Sequence, residues 1–397
     1  MDGPTIGILG PTSIADLRRF LPDTIPADVP MGSGGTPVTQ IAAELLRRGR
    51  RVVVFTLDAG ITSDRTLEGD RLRIRIGPYT AHRGRVYFAR ERRFLLEAIR
   101  QERPDVLSAH WTYEFALAAI ASGIPHVVTA HDAPWTILGY NPIAYRMVRT
   151  AMAYHASRLT RRMVAVSPYV ARHLRRYGFH SGPIEVIPNG LPAAAAPAGR
   201  READGIKRFA GIFSGGWESF RNGPTLLRAF AIARRSVPGA QMAMIGGQCE
   251  PGGPADLWAG VHGLRAGVEF LGHRPHAEVM DILARRVDVL VHPSLEESFG
   301  LPLIEAAAVG VPAIAGRASG AVPWVLGDGA CGVLVDVRSP DALAEAMVGL
   351  AVDDARRRAL AAKAGAMVRD RFDIAAVVDR YEAIFAELCA ATSPGRT

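Results

Sequence analysis

The sequence predicts an α/β protein made of two doubly wound domains with parallel sheets. Short β-branched runs, apolar at nearly every position, alternate with amphipathic helical segments along the chain, which is typical of strands covered on both faces. The series occurs twice, with a break at residues 191–205 that is rich in alanine, proline and glycine and reads as a linker. The chain has 397 residues. That length exceeds the roughly 100 to 200 residues of one domain and favours two.

The same local pattern recurs in both halves of the chain. An amphipathic helix ends at a glycine and a short β-branched strand follows, as in LIEAAAVG before VPAIAG. We expect Gly49, Gly123 and Gly310 to close their helices in the left-handed conformation, because glycine has no Cβ to oppose it.

The two series place an N-terminal domain at residues 1–190 and a second domain at residues 191–372. Such domains are expected to face each other across a cleft, with ligands beyond the carboxyl ends of the strands. Residues 373–397 contain a last helix with apolar side chains at helical spacing. We expect that helix to pack back on the N-terminal domain, because its apolar stripe needs a surface to cover.

Composition narrows the class of protein. No apolar run reaches the roughly 18 residues needed to span a bilayer, and MDGPTIGILGPTS lacks a basic region and a cleavage site, so we expect a cytoplasmic protein. The three cysteines are far apart and indicate neither a disulfide framework nor a zinc cluster. Neither a P-loop, an HExxH motif nor an Asp-x-Asp pair occurs, so no metal is expected.

The net charge of +8 comes almost wholly from arginine, with Lys207 and Lys363 as the lysines. Basic residues concentrate in two predicted helices at 89–103 and 145–162. A solvated basic face is the default interpretation, and contact with the inner face of an anionic membrane or with a polyanionic acceptor is the alternative. No nucleic-acid partner is predicted.

The stretch EESFGLPLIE, Glu296 to Glu305, follows the predicted strand DVLVH and carries the main chemical signal. Pro302 suits the first turn of a helix, and the free N–H groups there, with the helix dipole, can bind phosphate. Glu297 in the preceding loop and Glu305 one turn into the helix flank that position. Carboxylates can accept paired hydrogen bonds from vicinal hydroxyls. A phosphate between two polyols is a nucleotide sugar, whereas the pair taken by itself could equally be a loop glutamate and a helix-start glutamate.

The segment HPSLEESFGLPLIEAAAVGVPAIA resembles the signature of glycosyltransferase family four, the large family of retaining enzymes with the GT-B fold. The resemblance continues in the expected order through most of the chain, in GSGGTPVTQIAAELLRRG, DVLSAHW, HVVTAHD, IEVIPNG and VEFLGH. It implies a metal-independent hexosyltransferase that moves a hexose or amino-hexose from a nucleotide diphosphate sugar, UDP preferred over GDP, to an acceptor hydroxyl with retention. No cofactor is implied, and the acceptor could be a small molecule, a lipid-linked sugar or a glycan.

The resemblance also implies roles for individual residues. It assigns the ribose hydroxyls to Glu305, a donor-sugar hydroxyl to Glu297, and sugar positioning near the reacting centre to His110. Arg221 is expected at the diphosphate and Arg274 at the nucleobase, with an ordinary surface arginine as the alternative for Arg274. His131 with Asp132 is expected at the acceptor, and the alternative for His131 is a polar cap at the end of its strand. The remaining donor contacts are expected from loop and helix-start positions: Gly34, Gly35, Gly216, Ser298, Phe299, Gly300 and Leu301.

Two positions depart from the family pattern. Trp217 occupies the place of an expected arginine, and Trp324 that of a common glutamate. The first departure keeps open a catalytically weak or inactive GT-B protein that binds sugars or polyanions. A nucleotide-sugar epimerase on the same fold is a further alternative.

Overall fold

A computed structural model of the chain describes residues 3–22, 25, 29–32, 34–192 and 205–392. The linker predicted at residues 191–205 falls, apart from its ends, outside these residues. The chain divides into two compact units, Met1–Pro192 with Ile374–Thr397, and Ala193–Asp373. The units are described in turn.

The first unit contains one eight-stranded sheet with helices between its strands. In chain order the elements are β1 Ile6–Leu9, α1 Ile14–Leu17, α2 Thr36–Arg47, β2 Val52–Asp58, β3 Arg65–Glu68, β4 Leu72–Pro78, α3 Ala89–Glu102, β5 Val106–His110, α4 Glu114–Ser122, β6 His126–Ala130, α5 Pro134–Tyr140, α6 Ala144–Leu159, β7 Met163–Ala165, α7 Pro168–Arg176 and β8 Ile184–Val186. The strand order is β3-β4-β2-β1-β5-β6-β7-β8. The central strand β1 lies parallel to both neighbours, with Ile6 opposite Val52 and Val106.

The predicted parallel sheet is confirmed for this unit except at one edge. Strand β3 pairs antiparallel with β4, with Leu67 opposite Ile74. The connection is a tight turn at Gly69, whose N–H donates to the carbonyl of Leu72 at 2.7 Å. A parallel pair needs a crossover of about a dozen residues, so strands joined this closely can pair only antiparallel.

The second unit contains a six-stranded sheet that is parallel throughout. Its elements are β9 Arg208–Phe213, α8 Gly223–Ser236, β10 Gln241–Gly246, α9 Pro254–Val261, β11 Val268–Gly272, α10 His276–Arg286, β12 Val289–His292, α11 Leu301–Ala308, β13 Ala313–Gly316, α12 Val322–Val325, β14 Val333–Val335, α13 Pro340–Val352 and α14 Asp354–Arg371. The strand order is β11-β10-β9-β12-β13-β14. Chain order reverses beside β9, since β10 and β12 lie on its two sides. The switch point of a doubly wound sheet, where ligands bind, lies there.

Local signals in the sequence are confirmed at the helix ends. Gly49, Gly123 and Gly310 have φ values of 76°, 75° and 76°. Each follows its helix and precedes a strand, as predicted. The helix whose first turn is predicted at Pro302 is observed as Leu301–Ala308.

The last helix, α15 Ile374–Thr392, contributes to the core of the first unit. Its side chains Val378, Tyr381 and Phe385 are buried among the strand residues of that sheet. The Tyr381 hydroxyl lies 2.9 Å from the Thr129 hydroxyl on β6. None of the helices in the described part of the chain is long and apolar enough to cross a membrane.

Candidate functional site

In the second unit, the loop from β12 to α11 is shaped by a glycine that cannot be replaced freely. Gly300 has a φ of 93°, and a Cβ there would lie 2.9 Å from the Leu303 side chain. It is followed by Leu301 and Pro302 in the first turn of α11. Backbone N–H groups of a first helical turn lack carbonyl partners within the helix, so this turn can bind an anion.

Glu297 lies in this loop and is fixed by two cationic or polar side chains. Its Oε1 accepts a hydrogen bond from the Arg221 guanidinium and lies 2.9 Å from His292 Nε2. Its side chain is 11% exposed. Burial by itself would raise the pKa of Glu297, but the Arg221 charge and the His292 hydrogen bond outweigh burial and lower the pKa to about 2. Glu297 is therefore an ionised acceptor, fixed in place at neutral pH.

Glu305 lies on α11 and is buried, with 5% exposure. Its Oε1 lies 2.9 Å from Nε2 of His276, the first residue of α10. The predicted base contact Arg274 lies two residues before that histidine and is partly exposed, with its Nε 3.5 Å from Glu278 Oε1. The contact with His276 thus joins the Glu305 carboxylate to the segment after β11. That segment also contains Arg274, the residue expected to contact the nucleobase.

The turn after β9 contains the predicted Gly216 and Arg221. Gly216 has a φ of 113°, and a Cβ there would lie 3.1 Å from the Gln248 side chain. Trp217, at the position of the expected arginine, is 1% exposed and packs edge-on against Trp258 at 5.5 Å between ring centroids. This position supplies core packing, so Arg221 provides the positive charge of the turn.

The neighbouring Asn222 holds this turn to the sheet. It has a φ of 60°, and its Nδ2 donates to the carbonyls of Pro293 and Val337 at 3.1 and 2.7 Å. These bonds link the turn after β9 to the segments after β12 and β14. They explain why Arg221 reaches Glu297 across 76 positions of sequence.

Other predicted donor contacts have different environments. Phe299 is buried, and its ring packs against Trp324 and Phe372 at 6.3 and 5.4 Å between centroids. Its side chain belongs to the core, which leaves its backbone amide as the group that could bind a ligand. Ser298 is partly buried beside it. Trp324 is therefore also explained by packing.

In the first unit, the predicted glycine pair opens α2. Gly35 has a φ of 66°, and a Cβ there would lie 1.8 Å from the Pro11 carbonyl oxygen, so the fold requires glycine. Gly34 has a φ of 77°, and a Cβ there would meet nothing within 4 Å. The second glycine is needed for packing against the loop after β1, and the first faces open space.

His110 and His131 end the adjacent strand regions β5 and β6 and contact each other. His110 Nδ1 lies 2.9 Å from His131 Nε2, and His110 Nε2 lies 3.2 Å from the Ser108 hydroxyl. His131 also stacks on Trp111 at 4.4 Å between centroids. Burial lowers the pKa of His110 to about 3, and burial together with His110 lowers the pKa of His131 well below its ordinary value. Both rings are neutral at physiological pH.

Asp132 follows this pair and joins a buried polar chain. Its Oδ2 accepts a hydrogen bond from the Tyr113 hydroxyl at 2.5 Å, and burial raises its pKa. The Arg149 guanidinium lies 3.5 Å from the Tyr113 ring centroid and donates to Glu114 at 2.8 Å. Asp132 therefore has a structural contact with Tyr113 in addition to its predicted contact with the acceptor substrate.

Sequence analysis missed His292 and His276, the side chains that contact the two key glutamates. A signal for His292 was present, because it ends a strand in the same way as His110. His276 gave no local signal, since its partner lies 29 positions away. In the described residues no group of three or more His, Cys, Asp or Glu side chains is placed to bind a metal ion.

The contact between His292 and Glu297 should contribute to the stability of the folded protein. Replacing His292 with alanine removes a hydrogen bond to a largely buried carboxylate, and the free energy of unfolding should fall by about 1 to 3 kcal/mol. His292→Asn keeps a donor and should lose less. Urea unfolding measures both, with His273→Ala, an exposed histidine beside the same sheet, as the control. Equal stability of His292→Ala and the parent would contradict the contact.

Two family models match the chain. The model described as "Glycosyltransferase Family 4" matches residues 34–194, and the one described as "Glycosyl transferases group 1" matches residues 212–367. Together they cover most of the sequence, one in each structural unit.

Curated relatives match over shorter regions. D-inositol 3-phosphate glycosyltransferase of Corynebacterium diphtheriae is 31% identical over 232 residues, which is 54% of this chain and 53% of the relative. The protein of the same name from Corynebacterium glutamicum is 33% identical over 175 residues, 41% of each chain. The chain thus spans about half the length, or less, of these relatives.

Solved structures match along nearly the whole length. Sucrose-phosphate synthase from Thermosynechococcus elongatus has a TM-score of 0.77 at 19% identity, covering 98% of this chain and 100% of that one. WaaG, a glycosyltransferase involved in lipopolysaccharide biosynthesis, has a TM-score of 0.71 at 17% identity, covering 96% and 99%. Anabaena HepE in complex with UDP and glucose has a TM-score of 0.68 at 17% identity, covering 97% and 100%. At these identities the likeness concerns the fold.

Proposed function

The chain belongs to glycosyltransferase family 4, with the GT-B fold, and from this premise we propose that it transfers a hexose or amino-hexose from a nucleotide diphosphate sugar to an acceptor hydroxyl. The observation that carries the proposal is the ionised Glu297 beside the start of α11, with Arg221 and His292 bonded to it. Glu305 lies one turn further along the same helix.

The proposed donor orientation follows from charge. The diphosphate lies at the first turn of α11, where backbone N–H groups and the helix dipole favour an anion. Arg221 adds the side-chain charge that the turn after β9 retains. Glu297 accepts from a hydroxyl of the sugar and Glu305 from the ribose, because carboxylates accept paired hydrogen bonds.

We propose that transfer proceeds with retention and without a metal ion. The leaving phosphate oxygen takes the acceptor proton on the face from which it departs, and positive charge on the diphosphate stabilises it. Arg221 and α11 would supply that charge. If no metal ion is needed, turnover should be undiminished after dialysis against EDTA. The stereochemistry is read by NMR of the product, and inversion at the anomeric carbon would contradict retention.

UDP is the proposed nucleotide and a polyol or sugar hydroxyl the proposed acceptor. UDP is favoured over GDP by its frequency in the family, and the structurally similar HepE was solved with UDP and glucose. His131 and Asp132 are the proposed acceptor contacts, and His110 the proposed contact to the donor sugar. Because relatives are named D-inositol 3-phosphate glycosyltransferases, that polyol phosphate is the first acceptor to test.

One observation favours a second candidate function. Trp217 fills the place of the expected arginine with a buried ring, which leaves Arg221 as the cation of that turn. A sugar-binding protein with weak or no catalysis would have this feature. Donor consumption that depends on added acceptor would exclude both this candidate and a nucleotide-sugar epimerase.

The ribose contact is tested by Glu305→Ala. The variant should bind UDP about 1 to 3 kcal/mol more weakly, because the ribose hydroxyls lose their acceptor. Isothermal titration with UDP, GDP and ADP measures this and ranks the bases. Asp281→Ala, an exposed position on α10 whose carboxylate pairs with Arg285, is the control. Unchanged affinity in a folded Glu305→Ala protein would show that the ribose binds elsewhere.

A further inference from the structure

One segment of the first unit has an unusual charge distribution. Residues 133–184 contain eight arginines and neither aspartate nor glutamate, although the chain has 39 acidic residues. The segment comprises helices α5, α6 and α7 with strand β7. On α7, Arg172, Arg175 and Arg176 are exposed and make no ion pair within the described part of the chain. Their charge is therefore not neutralised by a neighbour.

The same segment exposes large apolar side chains. Among the described residues, eleven large apolar side chains are exposed, and seven of these lie between Trp135 and Tyr177. Single exposed apolar residues are common on soluble proteins, whereas a cluster of them marks an interaction site.

A row of ring contacts connects α6 to α7 and α5: Tyr154 lies 5.6 Å from Phe179, Phe179 lies 5.9 Å from His173, and His173 lies 4.8 Å from Tyr177. The rings of Trp135 on α5 and Tyr177 after α7 lie 6.4 Å apart. On α6, Met147 and Tyr154 are 59% and 46% exposed. They lie on one face with Ala151 and Arg158, which are also exposed, because the spacing of 4, 3 and 4 residues is helical. The opposite face, with Met152 and Ala156, enters the core.

We propose that this surface docks the protein on an anionic lipid bilayer. It is formed by the exposed side chains between Trp135 and Tyr177 and is here called the basic-aromatic surface. Tyrosine, tryptophan and methionine side chains enter the boundary between headgroups and acyl chains, and arginines around them contact lipid phosphates. A soluble polyanion would need the arginines but would leave the apolar side chains in water. The apolar cluster therefore favours the bilayer. The proposal does not rest on the donor contacts that we propose around Glu297 and Glu305.

Flotation of the full chain with vesicles tests the proposal. Binding is expected to vesicles that contain phosphatidylglycerol in phosphatidylcholine, and little to phosphatidylcholine alone. In the triple variant Arg172→Gln, Arg175→Gln, Arg176→Gln, partitioning to the anionic vesicles should fall by at least about tenfold. The double variant Met147→Ser, Tyr154→Ser should also partition about tenfold less.

Matched controls keep the result specific. Arg235, Arg358 and Arg369 are exposed arginines of the second unit, and their triple change to glutamine should leave partitioning within about twofold of the parent. Val261 and Val352 are exposed on the second unit, and their change to serine should do the same. Circular dichroism and UDP titration confirm that each variant is folded.

Three outcomes would overturn the proposal. The first is no flotation with anionic vesicles by a chain that binds UDP. The second is equal losses in the control and surface variants. The third is binding to dextran sulfate that depends on the three arginines but not on Met147 and Tyr154, which would identify a polyanion site. Loss of UDP binding with normal flotation would contradict the proposed function and leave the docking surface standing.

Discussion

Glu297→Gln is expected to lower kcat by about two to three orders of magnitude and to destabilise the second unit. The substitution removes the charge that faces Arg221, a side chain that is 19% exposed. Breaking a buried pair costs about 3 to 5 kcal/mol, and this partial exposure places the expected loss nearer 2 to 3 kcal/mol. The loss of activity follows because glutamine neither holds Arg221 in place nor accepts from the donor sugar as a carboxylate does.

Steady-state kinetics and urea unfolding separate the two effects. The control is Glu218→Gln, an exposed glutamate in the turn that carries Arg221, which should retain parental kcat and stability. In the double variant Glu297→Gln, Arg221→Gln, no unpaired charge remains, so stability should partly recover while activity stays low. A Glu297→Gln enzyme with parental kcat would remove Glu297 from the site.

The first unit is expected to lose stability as the pH falls from about 6.5 to 5. The pKa of His110 is lowered by burial from 6.5 to about 3. Between these two pH values His110 is therefore protonated in the unfolded chain and neutral in the folded chain. The stabilising contribution is present above pH 6.5 and is lost as pH falls toward the folded pKa. At pH 5 this amounts to about 2 kcal/mol for His110 alone. His131, whose pKa is lowered in the same way, adds to the loss.

Hydrogen exchange at pH 7 and pH 5 provides the measurement and its internal control. Amides of β5 and β6 should exchange faster at pH 5 after correction for intrinsic rates. Strands β9 and β12 should change less, because Glu297, whose pKa is about 2, keeps its contribution until the pH falls below about 4.5. His110→Gln should flatten the dependence in β5, and His262→Gln, an exposed histidine, should not. Equal acceleration in both sheets would contradict the role of the buried pair.

Much of the fold could be predicted because its signals are local. Alternating apolar runs and helical segments predicted both sheets. Within the described residues the parallel pattern is broken at β3, where a short connection forces an antiparallel pair. The position of Glu297 and Glu305 around a helix start was predicted from ten consecutive residues. Their partners were not, because Arg221 and His276 are distant in sequence and reach the carboxylates only when the strands are adjacent.

The sequence by itself determined the two series of strands and helices, the left-handed glycines and the start of α11, since each depends on backbone sterics and periodicity within a few residues. Only the tertiary structure decided that Trp217 is a core residue, that Glu297 is ionised between Arg221 and His292, and that His110 is neutral. The physical reason is that burial and charge at these positions are set by groups brought together from separate strands.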